Sequence, residues 1–163
     1  MADLFDDGAS SWVGKVFTAP PYPVTSLDIA KFAISLGLQD RIHFDSDEAR
    51  RAGYRDVVAP PGYYVVVRLS RPHLTDITRL AKDGTSAYDM PPNRATSRMA
   101  GETSVTFNRD IVAGDEITLE EKITGIEEKQ GRSGLLGIVS YEFSYRDAVG
   151  DEIIHESYSR LVR

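Results

Sequence analysis

Two spacings of apolar residues divide the chain. In the first third the spacing is helical: Ile29, Phe32, Ala33 and Leu36 fall at i, i+3, i+4 and i+7 and make one apolar stripe. Thr25 caps this helix with Asp28 as its capping-box partner, Val24 staples onto Ile29, and Gly37 stops it. A shorter helix is predicted over 47–52. Ser46 is its cap, Asp47 and Glu48 favour the positive end of its dipole, and Gly53 ends it. From Gly101 onward the spacing becomes alternation. Thr103, Val105 and Phe107 predict one half-buried strand, and Ile117, Leu119 and Ile123 a second that runs to about Lys129. Val139, Tyr141, Phe143 and Tyr145 predict a third, and residues 152–162 the last. Turns at 113–115, 131–134 and 147–151 separate them.

Between these regions the pattern is weaker. Three prolines hold residues 18–23 extended. Pro60-Pro61-Gly62 opens an element over 63–69 whose Tyr and Val content favours a strand. Pro61 is equally suited to the first turn of a buried helix, and pattern does not choose between them. Residues 71–100 are polar, with a short helix near 76–81, and a stretch of this length without a strong period has the character of a lid or binding loop. Residues 1–14 form a flexible lead-in with Trp12 and Val13 as anchors, and 15–163 form one domain. Helices followed by an antiparallel meander make the class α+β, not the alternation of a nucleotide-binding sheet.

Composition narrows the functions. The 25 acidic against 19 basic residues give a net charge of −6, which would repel a phosphate backbone, so no nucleic-acid partner is expected. With no cysteine there is no thiolate chemistry or disulfide framework, which suits a reducing cytoplasm. The longest apolar run, Val65-Val66-Val67, is far too short to span a bilayer, and the acidic start is not a secretory signal. A cytoplasmic protein without a membrane partner is the expectation.

Phosphate-loop, dinucleotide, zinc-protease and nucleophile-elbow motifs do not occur. His43, His73 and His155 lack metal-ligand spacing, so neither metal nor cofactor is expected. His155 lies in a predicted strand as a packing residue, and nothing singles out His73. His43 lies in a loop between two capped helices, with Asp40 and Asp45 close in sequence. A carboxylate beside an imidazole can orient it for proton transfer, while a solvated surface histidine has the same pattern.

Phe32-Ala33, the run Ile42-His43-Phe44-Asp45, Ala49, Gly53-Tyr54 and Val58-Ala59-Pro60-Pro61 resemble MaoC-like hydratases and dehydratases, in particular the N-terminal FAS1-like dehydratase type. The turns of the C-terminal half agree in Val112–Ile117, Lys129–Gly134 and Gly150–Ile153. The resemblance implies a hot-dog fold, an antiparallel sheet of about five strands wrapped around a long central helix, which would make residues 61–70 that helix. It further implies pairing with a second hot dog, as a homodimer or as a heterodimer with a catalytic MaoC-like subunit, and an acyl-CoA or acyl-carrier-protein thioester as ligand.

Active members of the family carry Asp-x-Asn-Pro-x-His, whose Asp and His hold the water added to an enoyl thioester. A backbone N–H at the start of the central helix polarises the carbonyl. Here the histidine is His43, but the Asp falls on Leu38 and the Asn-Pro pair on Asp40-Arg41. Leu38 cannot move a proton. One reading is therefore the substrate-binding half of a heteromeric (R)-specific hydratase or dehydratase. A second is a self-sufficient enzyme using His43 with Asp40 as substitute acid. A thioesterase or a non-catalytic acyl-thioester-binding protein remains on the same fold. In each, Gly62 offers its N–H, and Asp45, Pro61, Tyr63 and Tyr64 lie near the substrate. Arg94 and Arg98, with Arg71, Arg79 and Lys82, are candidates for the phosphates at the tunnel mouth.

Overall fold

The computed structural model describes residues 4–74, 90–131 and 134–163, with backbone alone for 71–74. The short helix expected near 76–81, together with Arg79 and Lys82, lies outside the described residues. Strands β1 (Val16–Thr18) and β2 (Tyr22–Pro23) precede helices α1 (Ser26–Ser35) and α2 (Ser46–Arg51). A 3-10 turn at Pro61–Tyr63 leads into α3 (Tyr64–Leu74). Four long strands follow: β3 (Arg98–Phe107), β4 (Glu116–Gly131), β5 (Gly134–Arg146) and β6 (Glu152–Val162). The sheet is antiparallel in the order β1-β4-β5-β6-β3, with β2 as a sixth strand beside β4.

Alternation builds the core. On β5, Gly137, Val139, Tyr141, Phe143 and Tyr145 are buried, while Ile138, Ser140, Glu142 and Ser144 between them are half-buried. Helix α3 lies on the buried face: the Tyr64 ring meets Tyr145 edge-on at 5.9 Å, and Arg68 reaches Glu156 on β6. This is the hot-dog arrangement. The ambiguous element is thus a helix, begun by Pro61 and drawn inward by Tyr63 and Val67, both buried and four residues apart. Burying each such side chain stabilises the layer by roughly 1.5–3 kcal/mol.

Three local expectations change. Leu36 does not join the α1 stripe and is exposed, because the helix ends at Ser35 and the chain reverses at Gly37, whose φ is 70°. The cap of α2 is Asp45, whose carboxylate accepts from the amides of Asp47 and Glu48. Ser46 is instead the first helical residue, and its hydroxyl donates to Asp56 at 2.6 Å. The described part of the lead-in, residues 4–14, packs against the sheet. Phe5 and Ala9 are buried, and the Phe5 amide donates to Glu128 at 2.8 Å. Gly137 makes room for Phe5: a Cβ there would lie 2.7 Å from its ring.

Candidate functional site

His43 ends a 3-10 turn, Arg41–His43, that α1 and α2 hold between them. Its ring is buried, with Nδ1 2.6 Å from the carbonyl oxygen of Val58. A carbonyl only accepts, so Nδ1 carries the proton and donates, and in the neutral ring Nε2 keeps its lone pair. Two further bonds fix the Val58 backbone: its amide donates to Ile42 at 3.0 Å, and it bridges to Val112. Among the described residues, the hydrogen bond that orients the histidine therefore comes from the backbone.

The neighbouring carboxylates are engaged elsewhere. Asp40 is exposed and caps the 3-10 turn, accepting from the Ile42 amide at 3.2 Å. Asp45, besides capping α2, pairs with Arg41 at 2.6 Å. The amides of Glu48 and Asp47, then Arg41, hold its carboxyl below its ordinary pKa. Among the described residues, no carboxylate bonds to His43. Leu38, at the position of the family's acid, is partly exposed.

Gly62 lies four residues beyond Val58, so its Cα is at most about 14 Å from the carbonyl that holds His43. It occupies the first turn leading into α3, where amides have no intrahelical acceptor and the helix dipole is positive. A Cβ at Gly62 would lie 3.6 Å from the Phe32 ring. Pro61 shares this turn and is exposed. Tyr63 points into the core. It is fully buried, its hydroxyl 3.3 Å from that of Tyr22, and burial pushes its pKa up. Tyr64 is half-buried, edge-on to Phe107 and Tyr145.

The basic candidates lie away from this group. Arg98 pairs with Val162 at the end of β6 opposite Ile153, whose carbonyl accepts from Asn108 and Arg109 just before the Ile111–Ala113 segment that pairs with residues 57–59. Nine strand residues separate those ends, about 30 Å. Arg94 lies beyond Arg98, ion-paired with Asp6 at 3.1 Å. Within one chain, neither flanks His43 or Gly62.

A second polar cluster was not among the sequence candidates. Glu156 is fully buried on β6. One oxygen accepts from Arg68 Nη1 at 2.8 Å and the other from the Tyr145 hydroxyl at 2.6 Å. Burial raises its pKa despite both bonds. The Arg68 guanidinium lies 4.6 Å over the Tyr158 ring. The signal was present in the alternation: Glu156 stands at a core-facing position between Ile154 and Tyr158, as Glu121 does between Leu119 and Ile123. A carboxylate thus lies beside the central helix, though with both oxygens taken and no access to a ligand.

Comparison with known proteins places this geometry. Residues 11–156 match the model of the FAS1-like, dehydratase domain region. The chain is 30% identical over 146 residues to a UPF0336 protein of Clavibacter michiganensis subsp. michiganensis, covering 89% of this chain and 88% of that one. It is 26% identical to a probable enoyl-CoA hydratase alpha subunit of Thermomonospora curvata, spanning 98% of this chain and 51% of that protein. Among solved structures, the C-terminally truncated HadBC (3R-hydroxyacyl-ACP dehydratase) complex of Mycobacterium tuberculosis superposes with a TM-score of 0.71. The match has 16% identity and covers 92% of this chain and 96% of that one.

Proposed function

Since the chain belongs to the FAS1-like dehydratase region family and has its MaoC-like hot-dog fold, we propose that it is the substrate-binding half of an (R)-specific enoyl-thioester hydratase or 3-hydroxyacyl-thioester dehydratase. The observation that carries this reading is His43, oriented but joined by no carboxylate among the described residues. Its ring is held for proton transfer, yet Leu38 stands where the acid belongs and Asp40 is committed to a cap. General acid–base groups contribute roughly 10²–10⁴-fold each, so a site with one of the pair is nearly silent. The second hot dog supplies the intact Asp and His. This chain holds the acyl thioester and completes the interface, with Gly62 offering its amide to the thioester oxygen. The names of the similar Thermomonospora subunit and the HadBC complex support a divided enzyme. Glu156 offers no support to a thioesterase, because a carboxylate with both oxygens bonded in the core cannot attack or activate water at a thioester.

The test is hydration of crotonyl-CoA by the chain alone and with a MaoC-like partner bearing the full motif. Turnover is expected only with the partner, and His43→Ala in this chain should then change kcat less than threefold. His43-dependent turnover by the chain alone would overturn the subunit reading in favour of a self-sufficient hydratase.

A further inference from the structure

We propose that Asp115 is the positioning residue of the His43 imidazole and acts through the Val58 carbonyl that holds the ring. The use of that ring in thioester chemistry rests on the reading above, whereas its orientation does not. Val58 lies outside the strands. It faces Val112 in an isolated bridge flanked by two backbone bonds, from the Ala59 amide to Ile111 at 2.8 Å and from the Ala113 amide to Val57 at 3.0 Å. Two neutral bonds are a weak constraint on a carbonyl that must meet His43 Nδ1 at 2.6 Å. Asp115, a buried carboxylate in the turn before β4, supplies a stronger one.

The carboxylate contacts of Asp115 all bear on this bridge. Oδ2 accepts from the Val112 amide at 2.8 Å, opposite Val58, and from Arg109 Nη1 at 2.9 Å. Oδ1 accepts from Arg109 Nη2 at 3.1 Å and from Arg55 Nη2 at 2.6 Å. Arg55 stands just ahead of Val57 and Arg109 just ahead of Ile111, so one carboxylate clasps both segments where they enter the pairing. Its bonds to the guanidinium groups are charge-assisted, about twice as strong as the neutral ones beside them. The Asp115 backbone extends the clasp. Its carbonyl accepts from the Val24 amide at 2.8 Å, at the entry to α1, and α1 in turn holds the 3-10 turn that ends in His43. The imidazole and the carbonyl it donates to are thus both registered on Asp115.

The experiment is imidazole nitrogen NMR of the full chain at neutral pH, in the assembly in which it purifies, with the His43 signals identified as those lost in His43→Gln. In the wild type the Nδ1–H form should outnumber the Nε2–H form by about tenfold, because the carbonyl accepts only from Nδ1–H. In Asp115→Asn the excess should fall to about twofold or less, as the ring loses its fixed acceptor. Glu156→Gln, which disturbs the core far from this bridge, should leave the wild-type ratio in place. An unchanged ratio in folded Asp115→Asn would overturn the assignment, as would an equal fall in Glu156→Gln, which would mark general loosening. Should Asp115→Asn not fold, Arg55→Gln replaces it: the exposed end of the clasp is then removed, and an unchanged ratio overturns the assignment in the same way. No thioester enters the measurement. Failure to hydrate crotonyl-CoA with any partner would therefore refute the thioester reading alone, and an unmoved ring would refute the role of Asp115 alone.

Discussion

His43 and Glu156 are both buried and polar, but they are held in opposite ways. His43 hangs on one carbonyl, that of Val58, fifteen residues away in sequence, and its second nitrogen is uncommitted among the described residues. Glu156 is held by side chains from two other elements, with Arg68 88 residues away, and neither of its oxygens is left over. The first arrangement orients a group while preserving its capacity to exchange a proton. The second spends that capacity on holding α3 against the sheet. A buried titratable group is thus a chemical candidate by what its partners leave unused, and burial alone does not make it one.

The comparison breaks most visibly at Glu156. Glu156→Leu leaves the Arg68 guanidinium without its partner and should lower unfolding free energy by about 3 kcal/mol, as expected for parting a buried ion pair. Adding Arg68→Met should recover most of that loss, since neither charge then remains. Urea unfolding of the two variants decides the matter. A double variant as unstable as the single one would show that packing, not charge pairing, is lost. His43→Ala should cost less, about 1–2 kcal/mol, because it removes one hydrogen bond and leaves no buried charge without its partner. A larger loss at His43 than at Glu156 would invert the contrast.

The same contrast explains how much was legible in the sequence. Elements whose cause is local were read closely. Thr25 caps α1 as expected, with the Asp28 amide donating to its hydroxyl at 3.1 Å, and the alternation of β4 and β5 survives with small shifts of their ends, whereas on β3 Thr103 and Phe107 are exposed and only Val105 of the three is half-buried. Helix α2 was placed one residue late because Asp45 and Ser46 are both good caps, and only Asp56, ten residues on, removes Ser46 from the competition. The neighbourhood of His43 was partly visible, since its loop and the two helices around it are contiguous. Its actual partner is a backbone carbonyl, which has no residue type to be recognised by. Where Arg94 and Arg98 would lie was not legible, because proximity in sequence to a polar stretch says nothing about which end of a sheet about 30 Å long they reach. The Glu156 network depends wholly on register, and without strand pairing no rule brings residues 68, 145 and 156 together.

The smallest expected effect tests the contrast through pH. In the helical layer, Asp56 is held below its ordinary pKa of 3.8 by the Ser46 hydroxyl and the Val57 amide. A carboxyl with a depressed folded pKa contributes stability above its unfolded value, near 4, and loses it as pH falls through the folded one. Glu156 has the opposite sign. Burial raises its folded pKa, so the native state binds the proton more readily than the unfolded chain, and its contribution grows as pH falls toward the unfolded value of about 4.5. Acid should therefore weaken the α2 layer while sparing the contact between α3 and β6. Asp56→Asn should flatten the decline of the urea midpoint below pH 4, and Glu156→Gln should steepen the decline as pH falls toward about 4.5. If Asp56→Asn leaves the acid limb unchanged, the tie between Ser46, Asp56 and Val57 does not hold that layer. If Glu156→Gln flattens the limb, Arg68 outweighs burial at Glu156, and the two regions respond to acid alike.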